Sequence, residues 1–542
     1  MPFRSARLLP GLAVLFLTGS CLSPEEQLLD ADQEVYLLVQ ERRAELFGPD
    51  SDFSIEPPAD SLRQRLLRGE IERLDRLDLG RCLEIAAENS RDYQDQKERL
   101  YLAALDLTLE RWRFSLQFDA GADATVTGTG DQAERAQIDG DLGLSRLLGT
   151  GATIVGNIGT SLFRLLTTGD GWDALSNISF SITQPLLRGS AREVVLEPLT
   201  QAERNLVYQV RSFERFRRTF AVDVASRYYR LLQTMDSVRN EEQNFANLAL
   251  LRERNQALAE AGQLSDVEAA EALSDELRSK NRLIDLQQSL DRALDEFKIF
   301  LGLPPEVEIG LDPSALEELD RYQLPGIEEL GEEELAALAL ARRLDFLNTA
   351  DRLVDAERRA RLAADALRLG LDFTAGANLA SLEGKPTRLL PGEAPWSAGF
   401  ALDLPVDAIP ERNAYRSSLI TYQATRRDTE LAADRIRADL REALRQLRSR
   451  ALSYQIQVDA VRTNEARLEN ARMNQEAGRS DTQDVLRAQE SLTAAQNART
   501  GALVDLALTR LDFASQLELL EVGPDGIQID KEALAGLAGR RE

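Results

Sequence analysis

Histidine is absent from all 542 residues, and with it the commonest general base and metal ligand. The two cysteines, Cys21 and Cys82, lie far apart with neither metal-ligand spacing nor the pattern of a disulfide framework. Carboxylates are plentiful, 91 against 65 basic residues, but none sits in a constellation with a nucleophile, so the chain reads as a non-enzyme with no metal and no cofactor. A formal charge of -26 argues against a nucleic-acid partner and fits the solvated faces of long helices. Two kinds of chemistry remain: modification of a thiol, and fields set up by rows of carboxylates.

The thiol is Cys21. Arg4 and Arg7 precede an apolar run from Leu8 to Leu17 and the small residues Thr18, Gly19 and Ser20, which is the layout of a secretory signal over residues 1–20. The string FLTGSC resembles a bacterial lipoprotein box, with Thr18 where leucine is usual and Leu17 one place further out. Lipidation is therefore expected at Cys21. Cys82 falls in the apolar stripe of a helix and reads as a small buried side chain.

The elements that position the carboxylates have two periods. Residues 116–126, LQFDAGADATV, alternate strictly, with Leu116, Phe118 and Val126 opposite Asp119 and Asp123; residues 371–380, LDFTAGANLA, repeat the pattern with Asp372 and Asn378 on the polar side. Shorter alternations follow at Ile178–Ile182 and Phe400–Leu404, ending at Pro185 and Pro405. After each proline a helical period runs for sixty to seventy residues, a rod of roughly 100 Å, and returns through Gly262 or Gly478 as a helical hairpin. Glycine suits such turns because it takes left-handed backbone angles without steric cost. The whole is an internal duplication.

No stretch approaches the roughly 18 apolar residues of a spanning helix, so any transmembrane part must be β. A strand with one apolar face sits in lipid only within a closed barrel of at least about eight strands. One chain offers four, or six if Ile138–Leu144 and Ala152–Leu162 form a further hairpin, so closure requires several copies. Asp119, Asp123, Asp372 and Asn378 would then face a water-filled lumen.

From about Leu77 to Leu520 the chain resembles the TolC-like outer-membrane efflux proteins, the outer-membrane factors of tripartite export systems. The resemblance rests on LDLGRCLEIAAENSRDY and ELAALALARRLDF at the repeat starts, ITQPLLRGSAREVV and LDLPVDAIPERNAYR after the β segments, and EAGRSDTQDVLRAQ at the second helical turn. It implies a mainly α fold with transmembrane β: duplicated long helical hairpins forming a coiled-coil-like tunnel, and about four strands per chain in a shared trimeric barrel of twelve. It further implies a homotrimer in the outer membrane, contacting lipid and extending into the periplasm, that joins a periplasmic adaptor (membrane fusion) protein and an inner-membrane transporter. The duct would conduct passively in efflux or type I secretion. A non-conducting, periplasm-spanning structural lipoprotein is the alternative; it accounts for the rods and Cys21 but not for the strands.

The same resemblance assigns the periplasmic aperture to Glu268 and Asp484, six residues beyond Gly262 and Gly478, with Asp266, Arg479 and Arg487 as potential ion-pair partners and the two glycine turns as adaptor contacts. Ser480 and Arg487 depart from the family's usual basic and acidic residues there, so the closing network is expected to differ. The resulting map is a signal at 1–20, a tether at 21–75, a first repeat at 76–302 with strands in 116–184 and a hairpin at 190–301, and a linker or equatorial segment at 303–331. A second repeat follows at 332–522, with strands in 371–404 and a hairpin at 411–520, and then a tail at 523–542.

Overall fold

The computed structural model describes residues 23–530 other than 48–52, 59, 71–73, 129–134, 166–170, 323, 325–330, 383, 478, 480, 524 and 525. The signal segment, Cys21 and Gly478 lie outside the described residues. Helices α1 (Pro24–Phe47), α2 (Leu62–Leu67), α3 (Leu79–Asn89) and α4 (Arg91–Arg113) lead into strands β1 (Gln117–Thr127), β2 (Arg135–Leu147), β3 (Thr153–Leu165) and β4 (Asp173–Pro185). A single turn, α5 (Arg192–Val195), precedes the long helix α6 (Glu197–Glu260) and its return α7 (Asp266–Phe300). The order then recurs: α8 (Glu332–Arg342), α9 (Leu344–Asp365), β5 (Gly370–Leu382), β6 (Lys385–Leu389), β7 (Trp396–Asp403), α10 (Ile409–Glu476) and α11 (Thr482–Gln516). A small hairpin, β8 (Leu520–Gly523) and β9 (Gly526–Ile529), ends the described chain. No described helix is long and apolar enough to cross a membrane.

The chain divides into two compact units. The first comprises residues 1–53, 99–210 and 349–429 and contains the seven-stranded sheet. Its strands run β1-β2-β3-β4-β5, with β7 on the far side of β5 and short β6 pairing with the end of β5 beyond a register shift at Ser381/Leu382. The hairpin at 138–162, whose place the sequence leaves open, is β2–β3, inserted between β1 and β4 and paired along its whole length. Among the described residues this sheet thus has seven strands, six of them running through it, because the first repeat contains a four-stranded meander where the second contains one principal pairing, β5 with β7.

Beside the sheet, helix pairing in this unit is polar. Tyr208 donates to Asp355 at 2.6 Å, and Arg358 bridges Asp355 (2.9 Å) and Glu197 (2.6 Å), while Arg204 also pairs with Asp355. Burial works to raise the Asp355 carboxyl, but the Tyr208 hydroxyl and the two guanidinium groups outweigh it and hold it below the usual carboxylate range. Burial, and after it the neighbouring carboxylate, pushes the Tyr208 phenol up to about 12. Helix α1, within what reads from sequence as a tether, is held by Tyr101 donating to Asp32 at 2.7 Å and by Tyr36 set edge-on to Tyr101.

The second unit, residues 54–98, 211–348 and 430–542, contains the main apolar core. The α6 stripe is buried here through Phe220, Val224, Tyr228 and Leu231, against Cys82 and Ile85 of α3 and Leu506 and Phe513 of α11. Full burial of each large apolar side chain contributes about 1.5–3 kcal/mol. The tyrosines keep their hydroxyls satisfied: Tyr228 donates to the Leu77 carbonyl at 3.1 Å, and Tyr229 shares a bond of 3.2 Å with Tyr322. Tyr322 ends a 3-10 stretch, Pro313–Tyr322, inside the segment that reads as a linker, so that segment contributes to the core. Burial pushes the Cys82 thiol far up, consistent with an inert structural side chain.

Two further devices close this core. Gly302, at φ +79, passes so near the Asn89 carbonyl that a Cβ there would overlap it. Glu518, just past α11, accepts from Arg215 and from Arg218 (2.5 Å) and ties the start of the first long hairpin to the end of the second. Residues 520–523 and 526–529, split in the sequence map between the second repeat and a tail, pair as β8 and β9, where Leu520 and Ile527 are buried.

Candidate functional site: the polar sheet face and the helical tips

Side chains of directly paired residues project on one side of an antiparallel sheet, so the register converts the sequence alternation into rows. One row is Asp119, Gly143, Asn157, Ser179 and Asn378; another is Gln117, Ser145, Val155, Ser181, Gly376 and Ser397. The opposite face has the row Phe118, Leu144, Gly156, Phe180, Ala377 and Trp396. All four candidate pore residues, Asp119, Asp123, Asp372 and Asn378, fall on the polar face together. The sequence alternation already sets Ser179 on the polar side of its strand; sequence reasoning missed Asp139, Asp141, Asn157 and Asn177, which β2, β3 and β4 add there. The alternation of RAQIDGDLGLSRL at 135–147 carries the signal for the first two.

Glycines make this face flat. A Cβ built at Gly143 would meet the Asp119 carboxylate, one at Gly121 would meet Asp141, and one at Gly159 would meet the Asn177 amide. The polar side chains lie across neighbouring glycines. On the apolar face, Phe118 is 75% exposed, Trp396 78% and Phe400 71%, values far above those of a sheet packed on a core.

The helical tips belong to the second unit. Helix α6 ends in a glycine cap: Gly262 sits at φ +73, and the Gln263 amide reaches back to the Leu258 carbonyl at 2.9 Å. Helix α7 starts with a capping box in which Ser265 accepts from the Glu268 amide at 3.2 Å and Glu268 accepts from the Ser265 amide at 3.2 Å. Glu268 therefore has a structural task at its own helix start. Asp266 is exposed in the same first turn.

The second tip uses related geometry, with the Arg479 amide donating to the Asn474 carbonyl at 2.8 Å and Asp481 capping α11 by accepting from the Asp484 amide at 3.0 Å. Asp484 is exposed one turn into α11, and Arg487 donates to Gln483 at 2.7 Å. Two contacts that sequence reasoning missed join the hairpins: Gln483 donates to Glu271 at 2.9 Å, and buried Asn255 donates to Thr482 at 3.1 Å. Gln483 and Glu271, with Arg278, Arg282, Arg487 and Glu490, border a cleft of about 370 Å³. Among the described residues no group of His, Cys, Asp and Glu is placed to hold a metal. The arrangement can set fields and shape a passage; it presents no activated nucleophile.

No protein-family model and no curated protein matches the sequence. Solved structures do match. The Campylobacter jejuni CmeC outer membrane channel is 14% identical with a TM-score of 0.58, the match covering 91% of this chain and 96% of that one. For the open state of the MtrE outer membrane channel of Neisseria gonorrhoeae the figures are 16%, 0.58, 81% and 88%, and for the outer membrane protein VceC from Vibrio cholerae 15%, 0.59, 81% and 95%. The chain has the TolC-like fold of these outer-membrane channels, a pair of long helical hairpins with a β domain.

Proposed function

We propose that this chain, folded as a TolC-like channel subunit, is one third of a homotrimeric exit duct in a bacterial outer membrane, lipid-anchored at Cys21, that conducts passively from periplasm to exterior. The observation that carries the reading is the sheet. It has one apolar face with its aromatic residues bare, one polar face, and two edges, β1 and β7, left unpaired among the described residues. An open edge and an exposed apolar face are both relieved by closure into a barrel in lipid, with the polar face around water. A non-conducting structural lipoprotein has no use for such a sheet.

Efflux or type I secretion through partnership with a periplasmic adaptor and an inner-membrane transporter is part of this reading, and the fold supports it. The turns at Gly262 and Gly478 are its adaptor contacts. Asp266, Glu268, Asp484, Arg479 and Arg487 are its aperture, where threefold symmetry would set like charges in rings and raise their affinity for cations. No chemical step is required of the chain.

Detergent-purified protein tests the duct directly. A heat-sensitive trimer that gives ion conductance in planar bilayers is expected; a monomer, or a trimer that stays silent, overturns it. Within a conducting trimer, Asp484→Ala should change conductance or block by divalent cations, and unaltered traces would remove Asp484 from the aperture.

A further inference from the structure

We infer that three copies of this chain close their sheets, β7 of one against β1 of the next, into an eighteen-stranded barrel whose lumen admits hydrated neutral or cationic solutes too large for a twelve-stranded one. The inference rests on the trimeric duct proposed above and concerns how wide its membrane section is.

Parity allows the closure. Every pairing in the sheet is antiparallel, so strand direction alternates along β1, β2, β3, β4, β5 and β7. The last strand therefore runs opposite to the first, and a neighbouring copy can add its β1 to β7 without breaking the alternation. Three copies of six through-running strands give eighteen.

The β2–β3 hairpin could have projected beyond the membrane, but three observations place it in the wall. It separates β1 from β4, which have no pairing with each other, so the sheet is continuous only through it. Its two faces continue those of its neighbours, row by row. Its apolar face has two charges, one at each end: Arg146, opposite Ile154, and Arg164, opposite Ala136. Ten residues of β2 separate those two rows, which at about 3.4 Å per residue and a tilt of about 40° is roughly 26 Å of membrane normal. Apolar bands of barrels in the outer membrane are about 25 Å tall. Between the arginines lie Ile138, Leu142, Leu144, Ile158 and Leu162.

The width follows from the strand count. Strands about 4.8 Å apart and tilted by about 40° give a backbone diameter of about 36 Å for eighteen strands and about 24 Å for twelve, a cross-section roughly 2.3 times larger. Barrels of 16–18 strands leave an open aqueous channel. The hairpin adds Asp139 and Asp141 to a lining that already has Asp119, Asp123 and Asp372, so the added space is acidic and disfavours polyanions.

Electron microscopy of the full-length trimer in nanodiscs tests this, with deletion of residues 135–165 as the comparison, because removing two strands together keeps the alternation. End-on views should show a barrel of about 36 Å across, shrinking to about 24 Å in the deletion variant. In planar bilayers, polyethylene glycols added on the barrel side should enter the wild-type lumen up to a radius about half again that of the variant, since diameter grows linearly with strand number. A wild-type trimer with a barrel of about 24 Å, the hairpin lying outside it, overturns the proposal and leaves the duct standing; that measurement decides even if the variant fails to assemble. Protein that is not a trimer overturns the duct itself.

Discussion

The two long hairpins come from one duplicated pattern, yet their returning helices cover their apolar residues to different extents. In the second, α10 and α11 bury Val461 and Leu468 against Val485, Ala488, Leu492 and Ala495, a seam with alternating three- and four-residue steps on α11. In the first, the half of α7 nearest its turn leaves Val267 66%, Leu273 46%, Leu277 52% and Ile284 53% exposed, although its far end buries Phe297 and Leu301. An apolar stripe specifies that a helix face will be covered and is silent on what covers it. The α10–α11 seam is covered within the chain, although α10 still exposes Leu452, Ile456 and Met473; under the trimeric reading the exposed side chains of both hairpins are offered to a neighbouring copy.

Four experiments would break or sharpen this contrast. The largest effect is expected where the hairpins share an anchor: Glu518→Ala removes the buried carboxylate that Arg215 and Arg218 share and should cost about 3–5 kcal/mol in chemical denaturation. Next, Leu492→Ala opens a cavity in the closed seam and should cost about 2–5 kcal/mol. The caps should be equivalent despite the different seams, with Ser265→Ala and Asp481→Ala each lowering stability by about 1 kcal/mol. Smallest is Leu277→Ala, expected to stay within about 0.5 kcal/mol of wild type for dissociated chains. The same variant should weaken the oligomer; an unchanged dissociation midpoint would separate the stripe from assembly.

Acid provides a further test at the shared anchor. Burial acts to raise Asp345, but Arg343 and Arg215 prevail and hold it below the usual carboxylate range. A carboxyl depressed in the folded state adds stability above its unfolded value and loses it as pH falls through the folded one. Melting temperature should therefore decline on the acid side of about pH 4, where unfolded aspartate titrates, and Asp345→Asn should flatten that decline.

How much of this was legible beforehand differs by element. Strands β1 and β5 announce themselves because a sheet wet on one side forces strict alternation. Strands β2 and β3 are harder to read because Gly140, Gly143, Gly156 and Gly159 stand at positions where a side chain would declare a face. The β8–β9 hairpin is too short to show a period, and the buried segment at 313–322 has the composition of a loop. At the tips, Gly262 and the capping residues follow from local rules, whereas Gln483 with Glu271 and Asn255 with Thr482 depend on how separate helices register. Glu268 illustrates both levels: the resemblance leads one to expect it at an aperture, and in the fold it caps its own helix.

The glycines beneath the carboxylates have one more consequence. Because Asp119 lies over Gly143 and Asp141 over Gly121, the polar face holds its charge flat against the backbone instead of on projecting stalks. If that face lines a duct as proposed, water layered on it would meet a nearly smooth potential with few steric steps, and friction on a passing solute would be governed by the hydration film and not by side chains that must swing aside. An alanine at Gly143 would lift the Asp119 carboxylate off the surface, turning a smooth wall into a rough one without altering its charge.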